Sequence, residues 1–250
     1  MTGRMRVGTA LVAGLLGFVA QASAQIPGMP LFTNPRYGTG IRVHADIGQP
    51  TDKGTSVGDV TVVQGGLTFA LGPVGIGANV GMNFNKAQSL AGGGTVDANS
   101  NVTASALAQL RLIGGGSKLL SLSIFGGASS DITMREVSSA QVGLKYPRFM
   151  NIPVGASLGL RVPLGITAMT VWGAGRYVFS KYVNCPSAAT SAALSTLCDN
   201  TEKNVRFAVG ADLPILRIFS VRAAFDTGKI YGQTMSVWGL GASIGIGGMR

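Results

Sequence analysis

The chain has 250 residues, of which 38 are glycine, 46% are hydrophobic and only 12% are charged, and its formal net charge is +10. Soluble domains carry charge on about a quarter of their residues, so this composition argues against a surface that faces water on every side. The basic residues stand singly and form no run or recognised motif, which argues against nucleic acid as a partner.

In chain order, Arg4 and Arg6 precede an apolar run over 7–20, and Ala22-Ser23-Ala24 follows with the spacing of a cleavage site. Residues 1–24 therefore read as a secretory signal, with Gln25 as the mature N-terminus. The apolar run is about 14 residues, short of the roughly 20 that a spanning helix needs. No later stretch reaches that length, because Arg, Asp, Asn or glycine-rich segments interrupt every candidate. Residues 25–250 fit a single domain, and loss of Arg4 and Arg6 with the leader lowers its net charge to +8.

Period-two alternation dominates that domain. Val74, Ile76, Ala78, Val80, Met82 and Phe84 alternate with Gly75, Gly77, Asn79, Gly81, Asn83 and Asn85. A strand puts these two sets on opposite faces, whereas a helix would scatter the apolar residues around its surface. The pattern recurs over 38–48, 59–71, 101–113, 118–129, 151–162, 166–180, 203–213, 217–227 and 234–247, which with 74–85 predicts about ten strands, with eight or twelve as alternatives. Short connections at Gly72-Pro73, 114–117, 163–165 and 214–216 alternate with mostly longer, more polar loops such as 86–100 and 181–202. This asymmetry and the uncharged apolar faces predict an all-β fold: an antiparallel, up-and-down transmembrane β-barrel. An even strand count returns both ends to the side of the short turns. The region 131–153 is open: Ser138 to Tyr146 reads as a separate strand, part of a long sixth strand or an excursion outside the barrel. Pro147 and Pro153 argue against one regular strand through it.

A soluble β-sandwich is the alternative, in which the apolar faces are buried against each other. The aromatic residues favour the membrane reading, since Tyr37, Phe69, Phe84, Tyr177, Phe179, Tyr182, Phe207, Phe219, Phe225, Tyr231 and Trp238 fall near strand ends, where interfacial girdles form.

This pattern, over nearly the whole of 25–250, resembles the superfamily of small bacterial outer-membrane barrels, porin-like and OmpA- or OmpX-type. The closing stretch Gly241-Ala242-Ser243-Ile244-Gly245-Ile246 is similar to the assembly signal of such proteins, with Ile244 and Ile246 where aromatic residues are usual and Gly248-Met249-Arg250 in place of a terminal Phe or Trp. The resemblance implies residence in the bacterial outer membrane, with its lipids and its assembly machinery as partners.

Turning the apolar residues of each strand toward lipid sends Arg42, His44, Asp46, Arg111, Arg161, Arg176, Arg206, Asp212, Arg222 and Asp226 into the lumen. Six arginines against three aspartates make a cationic interior. It either lines a narrow pore that favours small anionic solutes or closes on itself as a salt-bridged plug. Arg42, His44 and Asp46 share one face of the first strand, and a carboxylate near the only histidine suggests acid–base chemistry. No nucleophile motif accompanies them, so no catalytic residue is assigned and a non-enzymatic barrel is expected. Binding or adhesion through the loops is an alternative function, and a lipid-modifying enzyme is a further one.

Cys185 and Cys198 both fall in the loop before the eighth strand. In an exported chain they predict a disulfide, which for a loop of about 14 residues contributes roughly 3 kcal/mol in the chain-entropy model. Two thiols without a nearby histidine make a poor metal site, and no metal or cofactor is expected. Gly92-Gly93-Gly94 and Gly114-Gly115-Gly116 lack the Lys-Ser/Thr of a phosphate loop and read as turn glycines.

Overall fold

Alternation over each predicted segment folds as one long strand. These are β1 (Gly40–Pro50), β2 (Val60–Leu71), β3 (Val74–Asn85), β4 (Asn101–Ile113), β5 (Leu120–Asp131), β6 (Arg148–Leu164), β7 (Thr167–Val183), β8 (Glu202–Pro214), β9 (Phe219–Ile230) and β10 (Gln233–Ile246). The computed structural model describes residues 29–51, 60–85, 88–89, 95–96, 100–115, 118–134, 137–138, 147–165, 167–185, 195, 198–216, 218–230 and 233–246. The leader 1–24, Tyr231, Gly92-Gly93-Gly94 and the last residues Gly248-Met249-Arg250 lie outside them.

Each strand pairs antiparallel with its sequence neighbours, and β1 pairs with β10 from Ile41 opposite Ile246 to Pro50 opposite Val237, which closes the barrel. Ten strands, at 11 to 17 residues each, match or exceed the roughly 9–11 that a tilted strand needs to cross a bilayer. Closure leaves no edge of the barrel sheet unpaired, the condition for a strand structure in lipid.

Two hairpins at one end turn in two residues. Leu71 pairs with Val74 across Gly72-Pro73, and Leu164 pairs with Thr167. Gly72 and Gly165 hold φ of 59° and 69°, the left-handed conformation that a tight primed turn needs at its first central position. This is the turn end of the barrel. At the opposite, loop end, Gln88–Ser89, Thr95–Val96 and Val137–Ser138 form a small separate sheet. The segment after β5 is thus an excursion from the barrel as far as Ser138, while 139–146 lies outside the described residues.

The strand predicted over 151–162 runs further at both ends, from Arg148 to Leu164, and carries Pro153 within it. On the β7 side pairing is continuous and Val178 lies opposite Pro153. On the β5 side it lapses between the pairs Gly126 with Val154 and Ser129 with Asn151. The missing N–H is accommodated in that gap.

Burial is inverted relative to a soluble protein. Leu67, Phe207, Val209 and Val80 are each more than half exposed, whereas Asp226, Thr103, Ser121 and Ser123 have essentially no exposure. A single sheet with its apolar residues outside and its polar residues inside excludes the sandwich and describes a transmembrane barrel.

Candidate functional site

The lumen contains part of the chain itself. Residues 29–39, ahead of β1, run inside the barrel as a strap. Pro30 and Pro35 fix φ at the value of extended chain, and Leu31, Thr33, Pro35 and Tyr37 are buried while Phe32, Asn34 and Arg36 are half-buried. At the loop end Met29 packs on Val62, which pairs with Gly48 near the end of β1. In mid-barrel Leu31 joins Phe125, Trp172, Ala174, Ala208 and Ala224 in an apolar cluster, and its N–H donates to Asp226 Oδ2 at 3.2 Å. At the turn end the Tyr37 hydroxyl donates to the Pro73 carbonyl and accepts from the Arg111 N–H at 3.1 Å. There Arg36 Nη1 also donates to the Lys118 carbonyl. The strap thus spans most of the length of the lumen.

The wall is shaped to receive it. A Cβ on Gly239 would lie 2.6 Å from Pro30 Cγ, and one on Gly159 would lie 2.7 Å from Pro35 Cγ. Both separations are closer than packed carbon atoms allow, so glycine leaves the notches that the two prolines occupy.

The ten charged or titratable residues singled out above all stand on the inner face. Arg161 shares it with its pair Thr170, and Arg111 with its pair Ser123. Asp46 accepts from Arg222 at both Nε (2.7 Å) and Nη2 (2.6 Å) and from Gln64 Nε2 (2.9 Å). Asp226 accepts from Arg206 Nε (3.2 Å) and Nη2 (3.0 Å) and from Arg176. Asp212 accepts from Trp172 Nε1 at 2.7 Å, and Arg42 lines the cavity that Asp212 also borders. Arg111 donates to the carbonyls of Tyr37 (3.0 Å) and Gly72 (2.9 Å), with its guanidinium 5.1 Å from the Tyr37 ring centre. Arg36 lies near Arg161 and Arg111 at the turn end. Burial, then these two like charges, push its pKa down, and burial pushes the Tyr37 phenol up.

His44 and Asp46 approach only to 3.9 Å. His44 Nε2 instead meets Asn79 Oδ1 at 2.6 Å, and among the described residues no hydroxyl or thiol is hydrogen-bonded to the ring. The base–nucleophile contact that covalent catalysis needs is absent from that set.

Sequence reasoning missed three things here. It passed over the strap, although Met29-Pro30-Leu31-Phe32 is an apolar run that no strand face claims. It placed Tyr37 and Tyr182 among the membrane-facing aromatics. Both are corrected: Tyr37 lies in the strap, which has no strand parity, and Tyr182 packs on Phe149 with ring centres 5.2 Å apart, beside Met235 and Val237. Phe69, Phe84, Tyr177, Phe179, Phe207, Phe225 and Trp238 are exposed on the outer face. Finally, it could not see glycines acting as crossing points. Gly241 lies between Asp46 and Arg222, and Gly66 between His44 and Asn79, so in each case two side chains meet across a strand that has none.

Cys185 and Cys198 form the expected disulfide between β7 and β8, with Cα atoms 6.1 Å apart.

No family model matches the chain, and no curated protein sequence does. Among solved structures it is similar to the translocator domain of the autotransporter NalP from Neisseria meningitidis, at 12% identity over 85% of this chain and 91% of that one, with a TM-score of 0.45. It is similar also to the β domain of the Bordetella autotransporter BrkA (10% identity, 82% and 98% covered, TM-score 0.49). A further likeness is to the N-terminal barrel of Pseudomonas aeruginosa OprF (9% identity, 84% and 100% covered, TM-score 0.34). One antiparallel meander closed on itself, with its apolar side outward and its polar side enclosed, gives this chain the fold of a small transmembrane β-barrel.

Proposed function

We propose that the protein is a closed, non-enzymatic outer-membrane barrel whose lumen is stoppered by its own N-terminal strap. The observation that carries this reading is the burial of Leu31, Thr33, Pro35 and Tyr37 along the axis, held by a hydrogen bond to Asp226 and by the Arg111 contacts at the turn end. The arginine-rich lining supports it too, because Arg176, Arg206 and Arg222 are engaged with aspartates rather than facing an open water path. In this reading the leader 1–24 directs export, the outer-membrane assembly machinery inserts the barrel, the turns face the periplasm and the disulfide-tied loop faces outward. The barrel then acts as a membrane scaffold for its loops.

A second reading, a narrow pore favouring small anions, draws on the excess of lumen arginines and on Arg36, Arg111 and Arg161 gathered at the turn end. It requires the strap to leave. Planar-bilayer recording of the purified protein separates the two. The closed barrel predicts a silent bilayer with the full mature chain and stable, anion-biased channels once residues 29–36 are deleted. Steady current from the full chain would overturn the closed reading in favour of the pore.

A further inference from the structure

At the loop end, four consecutive strands each turn one basic side chain to the outside of the barrel. Arg148 on β6 lies opposite Val183, Lys181 on β7 opposite Met150, and Lys203 on β8 opposite Phe179, which itself lies opposite Ile152. Strand parity therefore puts all three on the outer face. Lys229 on β9, opposite Thr234, shares the face of the exposed Phe225. The outward residues at the same end of the other six strands, Gln49, Thr61, Phe84, Val102, Ser130 and Thr234, carry no charge. No carboxylate of the strands answers the four cations from that face. Asp46, Asp212 and Asp226 are buried in the lumen, Glu202 lies opposite the buried Ser180, and Asp131 lies opposite the buried Thr103. Arg148 has the neutral Asn184 amide beside it. The ammonium groups of Lys181, Lys203 and Lys229 have no ion pair among the described residues.

Below this row, toward mid-barrel, the same side of the molecule carries exposed rings. Tyr177, Phe179, Phe207 and Phe225 face outward, with the Tyr177 and Phe179 ring centres 5.0 Å apart. Gly175 shares their face but has no side chain, and it lies between Ala156 on β6 and Phe207 on β8. Gly173 continues the gap between Leu158 and Val209, so a furrow follows β7 beside the rings. Neighbouring strands are about 4.8 Å apart, so the basic row from β6 to β9 spans roughly 14 Å, wider than a single phosphate. Lysines that merely mark the edge of the hydrocarbon would stand all round the barrel. These cations are confined to the strands that also carry the rings and the furrow.

We propose that the outer face of β6 to β9 binds a multiply acylated lipid that carries more than one phosphate, drawn from the leaflet on the loop side. Its phosphates meet Arg148, Lys181, Lys203 and Lys229 as charge-assisted hydrogen bonds. Its acyl chains lie in the furrow of Gly173 and Gly175 and against Phe179 and Phe207. The site rests on the transmembrane reading of the barrel and is independent of whether the lumen is closed. It gives the scaffold a fixed lipid on one side, directly beneath the disulfide-tied loop that joins β7 to β8.

The full mature protein is inserted into phosphatidylcholine vesicles that hold a small, equal fraction of bisphosphorylated lipid A, of its monophosphorylated form or of phosphatidylglycerol. After extraction into detergent, bound lipid is counted by native mass spectrometry. The bisphosphorylated lipid is expected to be retained about tenfold over phosphatidylglycerol, with the monophosphorylated form between them. Each basic residue near anionic headgroups is worth about fivefold in binding. Lys181→Gln, Lys203→Gln and Lys229→Gln combined therefore lower retention by roughly a hundredfold. These are outward surface changes that keep the barrel folded, and Lys118→Gln at the turn end leaves retention as it was. Equal retention of all three lipids overturns the proposal, as does full retention by the triple variant or an equal loss in Lys118→Gln. Displacement of the lipid by an equal concentration of inorganic phosphate overturns it too, because the acyl face would then contribute nothing. A chain that does not enter the vesicles fails the transmembrane reading itself, whereas an inserted barrel without the lipid overturns the site alone.

Discussion

Asp226 lies between two arginines where none of the three side chains reaches solvent beyond 2%. A carboxylate there is tolerable only because Arg176, Arg206 and the Leu31 N–H surround it with donors. Replacing it with asparagine keeps the shape and an acceptor but leaves two buried guanidinium groups without a counter-charge. Breaking a buried pair in this way costs about 3–5 kcal/mol. Asp226→Asn is therefore expected to lower the free energy of unfolding from lipid vesicles by about that amount in a denaturant titration. A loss under about 1 kcal/mol would place the arginines in contact with water and reopen the pore reading. The face that each charged side chain takes was legible from strand parity, because residues two apart share a face. The partner of each was not. Asp46 meets Arg222 across Gly241, 176 residues away in sequence, and only the register of β1 on β10 and of β10 on β9 sets that meeting.

At the level of elements, the strands were readable because lipid outside and polar groups inside impose opposite chemistry on alternate residues. The register around the barrel follows from tight turns such as Gly72-Pro73. Pro153 sits within the strand because the cost of a proline depends on which neighbour loses the hydrogen bond, and the lapse beside β5 is a tertiary fact that no sequence pattern shows. The strap's burial alternates, but its buried set, Leu31, Thr33, Pro35 and Tyr37, mixes apolar with polar residues, so no hydropathy period marks it in the sequence. Its seat in the glycine notches gives a test that leaves its own sequence intact. Gly239→Val puts side-chain carbon where Pro30 sits, and overpacking of this kind costs roughly 1–3 kcal/mol. The strand is held on both sides by the continuous ladders to β1 and β9, whereas the strap pairs with no strand, so the strap is the part that yields. The variant is expected to show channel openings in planar bilayers that the parent chain lacks. A silent Gly239→Val bilayer with unchanged stability would mean that Pro30 does not occupy that notch.

At the scale of the whole molecule, two media act on one sheet, and each dictates one set of side chains. On the proposed closed reading the strap and the ion pairs take the place of water along the inner face, where polar groups satisfy one another. Rows such as Gln109 with Ser123, and Ser123 with Ser157, do so across β4, β5 and β6. The outer face makes no such demand and carries aliphatic side chains that only hydrocarbon can cover without penalty. Val209, 57% exposed near the middle of β8 and outward-facing, tests that division. On a protein surrounded by water, Val209→Arg is an ordinary surface change worth within about 0.5 kcal/mol. At the midplane of a bilayer the same change costs about 2–4 kcal/mol. Unfolding from lipid vesicles is expected to give the larger value, falling toward zero when arginine is placed instead at Ile246, at the end of the last strand. Equal small effects at both positions would remove the bilayer from around this barrel, and with it the reason for an apolar exterior.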